Sequence, residues 1–184
     1  SKPAGVVTPQ QMREIMRRYE SGTTIEELMR LFHRSRCTIY RAINAAKARE
    51  LVGVHMEYVD SEEFVAQGAE LAILGPELPA GVKGPNLLAN DLEAGRIELH
   101  DYLQALKNIE PLSAETEKQL FRRYNYLKYR FNVVKVAARP GHTTSAQVKE
   151  MQSLLSEARA IGLFLRQSFL RVVVTVAQKH HVPP

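Results

Sequence analysis

Cysteine is what this chain has least of. Cys37 stands alone, which rules out an internal disulfide framework and fits a reducing, cytoplasmic compartment. No apolar run reads as long enough to cross a bilayer. No signal-peptide pattern opens the chain, so neither export nor a membrane partner is expected. Catalytic motifs are missing too: there is no Gly-rich phosphate loop, no HExxH and no CxxC. His180 and His181 are adjacent, so on a helix they point in different directions, which is poor metal geometry. Nothing places a serine and a histidine as nucleophile and base. Glu62 and Glu63 read as solvation rather than acid–base machinery. The expectation is a protein that is no enzyme, with no catalytic residue, no metal and no cofactor.

Acidic residues are scarce at both ends and basic residues in the middle. Residues 9–50 carry nine Lys/Arg against five acids, residues 51–116 three against twelve, and residues 117–184 twelve against three. Basic segments favour phosphate through counterion release. The acidic middle should avoid DNA and is suited to docking on a basic protein surface.

What is present is helical patterning, and the fold class it predicts is all-α. Thr8 is a natural N-cap with Pro9 at the first helical position. Met12, Ile15, Met16 and Tyr19 then form an apolar stripe, with Arg13, Arg17 and Arg18 left outside. Thr24 and Glu27 have capping-box spacing. Ile25, Leu28, Met29 and Phe32 make the next stripe. His33-Arg34 falls at a turn, and Ser35 caps a third helix that turns Ile39, Ala42 and Ile43 inward. Arg36, Thr38, Tyr40 and Arg41 face out. That arrangement is the spacing of a DNA-binding helix-turn-helix, whose second helix enters the major groove. The candidate DNA-binding residues here are Arg34, Ser35, Arg36, Thr38, Tyr40 and Arg41, with Cys37 a small filler. The stretch resembles the helix-turn-helix of resolvase-type recombinases and sigma factors. Those motifs usually place Gly at the turn, where a left-handed backbone is wanted; here it is His33. A small residue is usual where Met29 stands.

Three parts are expected along the chain. Residues 1–52 are the helix-turn-helix unit, residues 53–86 an acidic and Pro/Gly-rich linker, and residues 87–184 a second helical domain. Residues 51–60, rich in Val with polar alternation, read as extended, and residues 62–74 as a short helix. GPELPAGVKGPN (75–86) reads as the linker itself. A short helix at about 87–94 and a longer one at about 97–108 follow, separated at Gly95. Pro111 and Ser113 then open a long helix that runs toward Ala138. Thr144 or Ser145 starts another, and 161–181 forms a last apolar helical segment.

The second half carries a family resemblance. IELHDYLQALKNIEPLSAETEKQLFRR is similar to region 1.2 of sigma-70 family factors through Tyr102-Leu103, Leu106, Pro111-Leu112-Ser113, Glu117 and Leu120. FLRQSFLRVVVTVAQKHH is similar to the opening of sigma region 2 through Leu170-Arg171-Val172-Val173, Val176-Ala177 and Lys179-His180. The resemblance implies a sigma-type transcription initiation factor, with double-stranded promoter DNA and RNA polymerase core as partners. It places Tyr102, Leu103 and Gln104 near the non-template strand. It also implies an incomplete sigma domain, and hence the N-terminal portion of a longer protein. Two other readings stay open: a stand-alone helix-turn-helix regulator whose helical half dimerises or binds an effector, and the DNA-binding part of a recombinase.

Overall fold

The computed structural model describes residues 7–79, 82, 95–107, 111–138 and 143–180. These form seven α-helices: α1 (Pro9–Glu20), α2 (Ile25–Phe32), α3 (Arg36–Gly53), α4 (Ala69–Leu74), α5 (Leu99–Lys107), α6 (Ala114–Ala137) and α7 (Ser145–His180), with a 3-10 turn at Glu62–Val65. Among the described residues there is no strand, and the fold class is all-α. The chain divides into two compact units, Ser1–Met56 with Phe131–Ser153, and Glu57–Arg130 with Leu154–Pro184. The split read from the Pro/Gly-rich stretch follows the chain; this one does not, because α6 and α7 each run from one unit into the other. The expected helix at 87–94 and half of the Pro/Gly stretch 75–86 lie outside the described residues.

In the first unit, local capping sets the helix starts. Thr8 and Gln11 close a capping box at the head of α1, and Thr24 and Glu27 close another at the head of α2. Each such cap is worth about 1 kcal/mol. An eight-residue helix cannot persist alone, so α2 depends on its buried stripe. Ile15, Leu28, Ile39, Ala42 and Ile43 form one core, with Met12, Met16, Tyr19, Ile25, Met29 and Phe32 packed around it. Full burial of Leu28 alone contributes about 2 kcal/mol. Met29, where a small residue was the usual choice, sits at the core margin.

The extended stretch expected at 51–60 is corrected in part. Helix α3 continues through Gly53, and residues 54–61 have no regular structure. Side chains of α6 replace a ladder partner. In the first unit Lys135 Nζ donates to the Val54 carbonyl at 2.7 Å and Asn132 Nδ2 to the Met56 carbonyl at 2.7 Å. With those polar groups satisfied, no second strand is required.

The second unit is built on aromatic rings and on α7. Phe64, Ala69, Ile73 and Tyr126 form a buried cluster with Tyr58, Leu74 and Tyr129 against it. The Phe64 and Tyr126 rings meet edge-on at 5.4 Å, a geometry that adds to simple burial. Tyr102, Leu106 and Val174 form a second cluster. Ser113 caps α6 by accepting from the Thr116 amide at 3.1 Å.

Helix α7 corrects two expectations. The segments expected at 145–158 and 161–181 are one 36-residue helix that runs straight through Gly162. A Cβ built on Gly162 would lie 3.2–3.3 Å from the Tyr124 ring, so glycine there marks close approach to α6 and not a break. The helix is also long and apolar enough to cross a membrane by length and composition alone. That overturns the expectation that no run reaches that length. Its buried residues Val148, Met151, Leu155, Ala158, Ile161 and Leu165 recur every three or four positions, which is the stripe of a helix packed on one side.

Candidate nucleic-acid interface

The turn between α2 and α3 is made with a left-handed residue. His33 has φ 49° and ψ 49° and is the one non-glycine with positive φ among the described residues. The His33 and Arg34 amides both turn back to the Met29 carbonyl, the latter at 3.1 Å. This closes α2 with a left-handed C-terminal cap. Non-glycine residues adopt that conformation at a cost of about 1–2 kcal/mol, so His33 is held there by the packing of α2 and α3 on either side.

The cap at the head of α3 uses two of the candidate residues internally. Ser35 Oγ accepts from the Thr38 amide at 3.3 Å and contacts Thr38 Oγ1 at 2.9 Å. Thr38 is half-buried, so its hydroxyl serves the cap first. Arg36 is exposed and pairs with Glu26 on α2. That carboxyl is held below its ordinary range, first by its own backbone N–H and then by Arg36. Tyr40 is 46% exposed, and Arg41 is exposed with its guanidinium 4.0 Å from Cys37 Sγ. Arg34 is half-buried and its Nε is buried without a hydrogen-bond partner. The structure thus brings Arg36, Tyr40 and Arg41 to the surface at the start of one helix. It assigns Ser35 and Thr38 to capping.

Other basic residues are differently occupied. Arg13 on α1 is exposed. Arg17 and Arg18 both hold Glu14, at 2.7 and 2.6 Å. Arg17 chiefly, with Arg18 second, lowers the Glu14 carboxyl to about 2. In the second unit two acids of the middle segment, Glu63 and Glu70, and Glu157 of α7 pair with arginines of α6. Arg122 pairs with Glu63 at 2.8 Å, Arg130 with Glu70 at 2.5 Å and Arg123 with Glu157 at 2.6 Å. Three of the twelve basic residues of 117–184 are therefore balanced internally. The sequence could not show this, because the partners of Arg122 and Arg130 lie about sixty residues away.

The residues singled out by the sigma resemblance lie on α5. Tyr102 is buried against Leu106 and Val174, Leu103 packs at the edge of that cluster, and Gln104 is exposed. Tyr102 therefore contributes packing here, and Gln104 alone of the three is wholly on the surface. Farther along α7, Val172, Val173 and Val176 are 49–60% exposed, an apolar face on the helix that carries the second part of the resemblance. No protein-family model, no curated protein and no solved structure matches this chain.

Proposed function

We propose that the chain binds double-stranded DNA through the first two turns of α3, and that it does so as a transcription initiation factor of sigma type with RNA polymerase core as its protein partner. One observation carries the DNA reading. A three-helix unit with a left-handed turn at His33 presents Arg36, Tyr40 and Arg41 together on the exposed start of a helix. Arginines so placed fit guanine edges or phosphates in the major groove. The ion pair with Glu26 does not oppose this strongly, because exposed pairs are worth about 0–1 kcal/mol. Arg36 exchanges Glu26 for phosphate at little cost.

The sigma-type part rests on the resemblance of residues 97–181. The exposed valines of α7 support it as a surface suited to a protein partner. The DNA reading is tested by anisotropy titration of the full chain with duplex DNA at several salt concentrations. Replacing Arg36 and Arg41 with Ala should cost about 1–3 kcal/mol for each contact that reads a base edge, or flatten the salt slope by about one for each phosphate contact. Glu26→Gln should tighten binding several-fold by releasing Arg36. Unchanged affinity and slope in the double variant would remove α3 from the interface. The polymerase reading is tested by capture on core polymerase, which Val173→Asp should weaken without affecting duplex binding.

A further inference from the structure

In the first unit a cavity of about 720 Å3 opens between the middle of α3 and the start of α7. Its apolar side comes from Met12 on α1 and Ala45, Ala48 and Val52 on α3. Its polar side is of one sign. Arg41 and Arg49 line it, and no carboxylate does. Asn44 Nδ2 donates to Ser145 Oγ at 2.6 Å, which ties the two walls together. Neither guanidinium has a carboxylate partner among the described residues, whereas Arg122, Arg123 and Arg130 of the second unit are all paired. Thr144 caps α7 at this wall, accepting from the Gln147 amide at 3.2 Å. The positive end of the helix dipole therefore adds to the field of the two arginines.

Two unpaired guanidiniums beside an apolar wall recognise a molecule with an anionic head and an apolar body. The volume lies within the range of small-molecule sites. It is too small for a duplex, whose major groove alone is about 12 Å wide. We propose that this recess binds a small organic anion, a carboxylate or phosphate monoester on an aromatic or aliphatic body, with Arg41 and Arg49 holding the head. The site does not depend on the DNA reading. If α3 also meets DNA, Arg41 is shared and the two ligands compete.

The test uses the full chain and no DNA, with phenyl phosphate, inorganic phosphate and phenol as probes in calorimetric titrations. Phenyl phosphate should bind with a Kd of about 1 mM or tighter. Inorganic phosphate and phenol should each bind at least about tenfold more weakly, since each lacks one of the two recognised parts. Arg49→Met should weaken phenyl phosphate about tenfold, equivalent to one charge-assisted hydrogen bond. Arg49 is exposed, so its loss should leave the fold unchanged by circular dichroism. Equal binding of phenyl phosphate by the Arg49→Met and Arg41→Met variants and by the unaltered chain would overturn the proposal. So would inorganic phosphate or phenol binding as tightly as phenyl phosphate, or no detectable binding of phenyl phosphate.

Discussion

Arg123 engages three partners in the second unit, and its removal gives a sharp test of how that unit is held. Its Nε and Nη2 donate to one carboxylate oxygen of Glu157 at 2.8 and 2.6 Å. Its Nη1 donates to the carbonyls of Leu74 at 3.0 Å and Pro76 at 2.9 Å. One guanidinium therefore fastens α7 and the segment after α4 to α6. The arginine side chain is 12% exposed and that of Glu157 31%. Breaking a fully buried pair costs about 3–5 kcal/mol. Glu157 keeps some access to water, so the expected loss for Arg123→Met is about 2–4 kcal/mol, with the aliphatic stem retained. For a chain of this size that lowers Tm by roughly 10 °C. Arg123→Lys should lose about half as much, because a single ammonium meets Glu157 but cannot also span both carbonyls. Urea unfolding gives the free energies. Limited proteolysis gives the location, since freeing Leu74 and Pro76 should open new cleavage at residues 74–79 in Arg123→Met. A loss under about 0.5 kcal/mol, the range of an ordinary surface substitution, would refute the reasoning. So would equal losses for Met and Lys.

His33→Gly should stabilise the first unit by about 0.5–1 kcal/mol, the left-handed penalty relieved less the added chain entropy, as read by thermal unfolding. At Gly162 two effects oppose each other. Ala gains about 1 kcal/mol of helix propensity but meets the Tyr124 ring at 3.2–3.3 Å, so Gly162→Ala should be near neutral. Gly162→Leu should cost about 1–3 kcal/mol, and an undiminished urea midpoint for Leu would count against close approach there. Glu14 has its carboxyl lowered from 4.5 to about 2, chiefly by Arg17. A lowered folded value means that its contribution is present above pH 4.5 and is lost as pH falls toward 2. Glu14→Gln should therefore flatten the acid limb of the stability profile in that window. High salt should shrink the difference, because the pair is exposed.

Helix starts were legible in the sequence because capping is local. Thr8, Thr24, Ser35, Ser113 and Thr144 each accept from an amide three residues on, so residue type and short spacing suffice. The core of the first unit was legible for the same reason. Ile15, Leu28, Ile39, Ala42 and Ile43 follow a helical period that can be counted along the chain. The turn at His33 was placed by its two neighbouring stripes, although no glycine marked it.

The sequence by itself determined the all-helical class, the caps, the inward stripes and the outward arginines of α3, all of which depend on residues within a turn or two of one another. Only the tertiary structure decided which charges are free. Arg36 meets Glu26 ten residues back, Arg123 meets Glu157 thirty-four residues on, and Arg122 meets Glu63 fifty-nine residues back, while Arg41 and Arg49 are left facing a recess. It also decided that α7 continues through Gly162, since close approach to Tyr124 makes a residue without a Cβ fit inside a helix. Pairings and clearances of this kind are set by how helices distant in sequence are brought together, and no local spacing encodes them.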